Sequence, residues 1–308
     1  MSEPIIVAEQ LTKTFTRYRR VSRLRRERVA FTAVDRIDLV VQPGELVGYI
    51  GPNGAGKSTT IKMLTGILMP SSGLLRVAGL EPQRERVRLA RRIGVVFGQR
   101  TTLWWDLPLR DSFALIRRMY RIPDARYREN LDRYVEALEL APFMDQPVRQ
   151  LSLGQRMRGD ITAALLHDPA IVYLDEPTIG LDVLSKHTVR DFLHDLNQNK
   201  GTTILLTTHD TGDIERLCSR VVAIDHGRVT YDGSLDGLRA DRDLETAVKE
   251  MYLRERPGVM EQRVVGQEVM EQEVVEQRDE DESDELPSPP LSASTSTSAS
   301  APQLPVER

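Results

Sequence analysis

Gly51, Pro52, Asn53, Gly54, Ala55, Gly56, Lys57 and Ser58 run consecutively and fit G-x-x-x-x-G-K-[ST] at every fixed position. Glycines at this spacing let the backbone curl until successive N–H groups converge on one anion, and the positive end of a following helix adds to the attraction. Lys57 supplies a point charge for β- and γ-phosphates, and the Ser58 hydroxyl is suited to ligate Mg²⁺. Thr59, next in line, opens the helix and is counted with the phosphate-binding residues. A second chemical feature ends the run Ile171-Val172-Tyr173-Leu174-Asp175-Glu176, where four apolar residues deliver two acids. Asp175 is suited to hold the metal's shell, and Glu176, pointing to the other side of the chain, to polarise a water for attack on a γ-phosphate.

Such residues need strands to carry them and helices to follow. Leu46–Ile50 is a short apolar run of strand type before the cradle, and Thr59–Leu64 has helical spacing after it. Strands are also expected at Ile5–Phe15, Ile37–Val41, Leu74–Ala78, Ile93–Phe97, Ile171–Asp175 and Thr203–Thr207, with a final hairpin from Val221 to Tyr231. Helices are expected at Arg84–Arg92, Val183–Asn197 and Asp213–Cys218. From about residue 101 to 168 the pattern becomes purely helical, with Leu109–Tyr120, Tyr127–Leu140 and Leu153–Leu166 separated by Pro123, Pro142 and Pro147. Strands apolar on both faces, alternating with helices, imply an α/β fold with a mainly parallel sheet, interrupted by a helical insert.

The chain of 308 residues is 40% apolar, enough for a large core, and its single cysteine, Cys218, excludes an internal disulfide and fits a reducing compartment. No run of about eighteen apolar residues is present, and the N-terminus lacks the pattern of a secretory signal, so a cytosolic protein is expected, touching a membrane through a partner. The net charge of −4 hides two opposite segments. Arg17 to Arg28 holds seven arginines and one acid, whereas Asp279 to Glu285 holds six acids and a serine. The basic stretch reads as an insertion in a β-hairpin, either a solvated loop or a surface for anionic lipid headgroups or nucleic acid. Beyond about Pro257 a ten-residue unit is used twice, and an acidic run and a Ser/Pro-rich end follow; disorder is the expectation there.

Taken together, GPNGAGKS, Gln99, Leu151-Ser152-Leu153-Gly154-Gln155, Asp175-Glu176, Gly180-Leu181-Asp182 and His209 resemble, in order, the nucleotide-binding subunit of an ATP-binding cassette (ABC) transporter. The resemblance covers roughly Ile5 to Ala240. It implies a P-loop NTPase of ABC type, with an antiparallel N-terminal β-subdomain beside the parallel sheet. With the change of composition beyond Pro257, the chain is expected to divide into an ATPase domain over 1–240, a C-terminal helix over 241–256 and a disordered low-complexity tail over 257–308. The resemblance further implies ATP and Mg²⁺ as ligands and a head-to-tail dimer in which each ATP lies between the cradle of one copy and Ser152, Gly154 and Gln155 of the other. Gln99 resembles the glutamine that senses Mg²⁺ and the attacking water, His209 the switch histidine that contacts the γ-phosphate, and Asp182 the acid of the loop between subunits. An aromatic soon after the first strand stacks on adenine in the family; Phe15 fits, and Tyr18 and Phe31 are further candidates.

Leu153 stands where the family's usual motif has glycine, so φ there must stay negative and its side chain needs an apolar neighbour. Independently of the family, Ser152 with the N–H groups of Leu153 and Gly154 opens a helix, which makes a second anion site. Trp104 and Trp105, the only tryptophans, either pack in the core or line a groove for a membrane subunit's helix. FGQR…WWDLP and LSLGQRMR resemble bacterial drug- and sodium-extrusion ATPases, which implies an exporter whose membrane-spanning permease is a separate chain, with this subunit at the cytoplasmic face of the cell membrane. The alternative is a soluble ABC ATPase acting on nucleic acid or ribosomes; no nucleic-acid partner is expected, since neither a coiled-coil insert nor a second cassette is present.

Overall fold

In the computed structural model, which describes residues 3–22, 25–98, 100–239 and 242–254, Val7 is half-buried and Glu9 and Gln10 are exposed, whereas Ile6, Ala8 and Leu11 are buried. They seat strand β1 (Ile6–Ser22) against β2 (Arg25–Val41) on one side and β4 (Ser72–Val77) on the other, in a three-stranded antiparallel sheet. Gln99, Ala240 and the tail from residue 255 lie outside the described residues, and so do the expectations placed on them.

The β1–β2 pair departs from the sequence reading. The arginine-rich stretch is no loop inserted between shorter strands, because both strands run through it, pairing Arg17 with Val29, Arg19 with Glu27 and Ser22 with Arg25. β4 pairs with β1 only as far as Thr12, so the rest is a two-stranded ribbon. A ribbon with no third strand need bury neither face, and its polar residues then show no alternation to read.

The second sheet has six strands in the order β5 (Ile93–Phe97), β6 (Ile171–Asp175), β7 (Thr203–Thr207), β3 (Leu46–Ile50), β8 (Arg220–Asp225), β9 (Arg228–Ser234). The first five are parallel and β9 returns antiparallel to β8. Every residue of β3 and β7 is buried, as a sheet covered on both faces requires. Successive residues feed opposite cores: Val172 and Leu174 join the cluster under the helices, whereas Ile171 and Tyr173 join the one shared with β1, β2 and α1 (Lys57–Leu64).

Between β5 and β6 come α3 (Leu109–Tyr120), α4 (Asp124–Ala137) and α5 (Leu153–Leu165), after the short α2 (Arg86–Ala90) that precedes β5. Helix α4 begins earlier than its spacing suggests because Pro123 caps it, and it ends before Glu139, which takes a left-handed φ of 50°. Helix α6 (Val183–Lys200) runs on to Gly201, whose φ of 65° closes it, and α7 (Thr211–Leu217), α8 (Leu235–Arg239) and α9 (Leu244–Arg254) complete the described chain. No helix among the described residues is long and apolar enough to cross a membrane.

Cys218, 4% exposed, packs beside Gly48 of β3, and burial pushes its thiol up to about 12. The native chain is therefore expected to resist alkylation at pH 8 and to react fully once unfolded in denaturant; fast labelling of the folded chain would contradict this packing.

Candidate active site at the strand ends

In a parallel sheet all strands deliver their C-terminal ends to one edge, and ligands bind in the crevice outside it. Here β3, β5, β6 and β7 bring the 51–58 cradle, Gly98, Asp175 and Thr207 to that edge. β7 lies between β3 and β6, so Thr207 fills the space between the cradle and the acids.

The cradle's shape follows from its residues. Gly56 has φ 111°, and a β-carbon there would fall 2.5 Å from the Ala33 carbonyl oxygen, so no other residue fits against β2. The Ala55 carbonyl accepts from Gly227 N at 2.9 Å, which ties the loop to the β8–β9 turn. Lys57, 7% exposed, folds into the cradle and donates to the carbonyls of Gly51 at 2.6 Å and Pro52 at 3.2 Å. Burial lowers its pKa, and the charges of Glu176 and Asp175 oppose that shift.

Ser58 Oγ donates to Asp175 Oδ2 at 3.1 Å, and Thr207 Oγ1 donates to Asp175 Oδ1 at 2.6 Å. A hydroxyl and a carboxylate held side by side are hard oxygen donors, the partial shell that Mg²⁺ takes when phosphate oxygens and water complete it. Glu176 turns away through a left-handed φ of 56°, its N–H donating to the Thr207 carbonyl at 3.0 Å. Its carboxylate accepts from the His209 N–H at 3.2 Å and lies 2.9 Å from His209 Nε2. Burial raises the Glu176 pKa; burial and then the Lys57 charge lower that of His209, which favours a neutral imidazole beside the carboxyl group.

A second cluster forms at the start of α5. Ser152 and Gln155 make a reciprocal cap: Gln155 N donates to Ser152 Oγ at 3.2 Å, and Ser152 N donates to Gln155 Oε1 at 2.9 Å. Asp182 caps α6 through Ser185 N at 2.9 Å, and those Ser185 donors hold its carboxyl below the usual range. A β-carbon on Gly154 would collide with Ser185 Oγ, so the two helix starts touch. Leu153 has no positive φ, and its Cδ2 lies 3.0 Å from where a β-carbon on Gly180 would be. The loop from Glu176 to Asp182 thus runs from one cluster to the other.

Phe15 pairs across the ribbon with Phe31, two residues before the Ala33 that touches Gly56, and Lys13 Nζ sits 5.2 Å from the Phe15 ring centre. Nothing is described of the Tyr18 side chain. Trp104 and Trp105 are 37% and 49% exposed, which overturns core packing for them; the Arg156 guanidinium lies over the Trp105 ring at 5.6 Å.

Sequence reasoning passed over Thr207 and Asp213. Asp213, fully buried in the first turn of α7, gathers Thr178, Thr208 and Arg190. Only a helix around it is legible in the sequence, and an acid in a first turn ordinarily answers the helix dipole.

Residues 34–179 match the family model described as ABC transporter. The chain is 40% identical to the Nod factor export ATP-binding protein I of Cupriavidus metallidurans over 71% of each chain. It is 33% identical to the ABC transporter ATP-binding protein NatA of Bacillus subtilis, over 67% of this chain and 83% of that one. A solved dimeric ATP-binding cassette in a post-hydrolysis state, bound to ADP and Pi, superposes with TM-score 0.64 at 25% identity, covering 75% of this chain and 98% of the other. These relatives lend no support to the alternative of an ATPase acting on nucleic acid. The chain belongs to the ABC transporter family, as one of its ATP-binding, ATP-hydrolysing subunits.

Proposed function

We propose that this subunit powers export through a separate membrane-spanning permease, working as a dimer at the cytoplasmic membrane face. The observation that carries the catalytic half is the meeting of Lys57, Ser58, Asp175, Glu176 and His209 at one sheet edge. Lys57 and the amides of residues 51–59 would bind the phosphates of ATP, while Ser58, Asp175 and Gln99 would hold Mg²⁺. That ion, when bound, neutralises charge building on the phosphates. Glu176 takes a proton from water as the water oxygen bonds to the γ-phosphorus; the bond to the bridging oxygen breaks, and ADP leaves with its electron pair. His209 stands neutral against Glu176 and orients it. Phe15 or Phe31 would stack on adenine.

The second cluster supports a dimer. Ser152 Oγ satisfies only the Gln155 N–H, and Arg156 N donates to the Ser152 carbonyl at 2.9 Å, which leaves the Leu153 and Gly154 amides facing out of the helix start. With Ser152, Gln155 and Asp182 they would meet the phosphates bound by another copy. Around them Ile179, Leu153, Val183 and Leu184 are exposed, at 44%, 36%, 75% and 74%, an apolar rim that a second copy would cover. Export rests on the C. metallidurans relative and on the WWDLP and LSLGQRMR stretches. The exposed tryptophans would seat a permease helix, passing the state of the γ-phosphate to the membrane.

Isolation of the full-length chain from its own membranes is expected to bring down a multi-span subunit, and alanine at both Trp104 and Trp105 to abolish transport while ATP binding persists. Recovery with nucleic acid instead, or unaltered transport by the double variant, would overturn the reading.

A further inference from the structure

Asp213 is an acidic residue fully buried, 0% exposed, in a site that none of the phosphate-binding or metal-binding roles uses. A buried carboxylate is tolerated only where donors surround it, and both of its oxygens are engaged. Oδ1 takes the Arg190 guanidinium of α6, at 2.6 Å from Nε and 2.5 Å from a terminal nitrogen. Oδ2 takes two hydroxyls, Thr178 Oγ1 and, at 2.8 Å, Thr208 Oγ1. Those threonines are no arbitrary pair. Thr178 lies two residues after Glu176 and Thr208 immediately before His209, and the loop closes again where His209 meets the Glu176 carboxylate. The chain therefore forms a ring, Glu176 to Thr178 to Asp213 to Thr208 to His209 and back, with Arg190 bracing it from the helix that starts at Asp182.

We propose that Asp213 is a positioning residue for ATP hydrolysis: by holding Thr178 and Thr208 on one carboxylate oxygen it fixes the spacing between the Glu176 carboxylate and His209. The inference rests on Glu176 as the base. Small displacements of a positioned base are costly, on the order of a hundredfold for about an ångström. None of the hydrogen bonds that close the ring goes to Lys57 or the cradle, so loosening it should fall on kcat more than on ATP affinity.

The test uses the full-length chain with ATP and magnesium chloride. Thr178→Val and Thr208→Val keep side-chain shape and remove one hydroxyl each, so they serve where Asp213→Asn fails to fold. Each valine variant is expected to lower kcat between about ten- and a hundredfold with KM for ATP within about twofold, and Thr178→Ser and Thr208→Ser, which restore the hydroxyl, to recover it. In a chain already carrying Glu176→Gln, the valine changes are expected to add no further loss, because there is no base left to position. Unchanged kcat in both valine variants, a loss carried by KM, or losses that multiply with that of Glu176→Gln would overturn the inference. A slow Glu176→Gln with fast valine variants removes only the positioning role; a fast Glu176→Gln removes the base itself.

Discussion

Glu176→Gln is expected to lower kcat by about 10²- to 10⁴-fold, the usual contribution of a general base, while ATP still binds and a nucleotide-loaded dimer accumulates. Glutamine keeps the shape and an oxygen for the His209 N–H, so the contact at 3.2 Å survives, but it takes no proton from water. The residue cannot easily move away: its φ of 56° is fixed by the Thr207 carbonyl, and Gly98 packs so close that a β-carbon would come 2.6 Å from the Glu176 carbonyl oxygen. A non-glycine residue in the left-handed region costs energy that the surroundings must hold, a common mark of a working position. The pH dependence follows in sign. Burial raises the Glu176 pKa, so the acid limb of kcat/KM is expected above the ordinary range of a glutamic acid and to vanish in the variant. The folded chain then binds that proton more tightly than the unfolded chain, so ionisation above the raised pKa costs stability and protonation below the ordinary range restores it. The glutamine variant should melt no lower than the parent at pH 7. Hydrolysis at the parental rate, measured as phosphate release, would remove Glu176 from its role.

Lys57→Ala is the second large effect, expected to lower kcat/KM for ATP by about 10²- to 10³-fold, the loss typical of one preorganised charge donor. The ammonium is nearly buried and bonds two carbonyls of its own loop, so it is held where phosphate would sit. Alanine removes the charge and leaves those carbonyls facing a polyanion. Arginine is expected not to rescue, because its planar fork is larger than the space a compact ammonium occupies. Titration with ATP and steady-state rates check both statements, and indifference to the change would dismantle the cradle assignment.

Much of this site could be read from the chain because its parts are local. The cradle is eight adjacent residues between a strand and a helix, and Asp175-Glu176 ends a strand of four apolar residues. The helix Leu109–Tyr120 falls where its spacing puts it. What could not be read is what depends on neighbours distant in the chain. Strand order does not follow chain order, so nothing in the sequence places β7 between β3 and β6 or Thr207 beside Asp175. Asp213 and Thr178 are 35 residues apart and meet only after α6 and β7 have packed. The arginine-rich strands were missed for the opposite reason: two-residue alternation is legible only where one face is dry.

That same ribbon carries a further consequence. Ser71 still covers β1 at Thr14, and Gly227 and Arg220 bond β2 at Asp35 and Val40, but beyond Thr14 neither strand of the ribbon has a third strand beside it, which leaves backbone edges that another chain could pair with. Such borders are templates for aggregation unless something keeps identical molecules apart. The paired residues there include six arginines against the one acid Glu27, so every copy carries the same sign of charge along the ribbon, and mutual repulsion works against edge-to-edge pairing. That repulsion weakens as salt screens it, so the ribbon ties the solubility of this subunit to ionic strength.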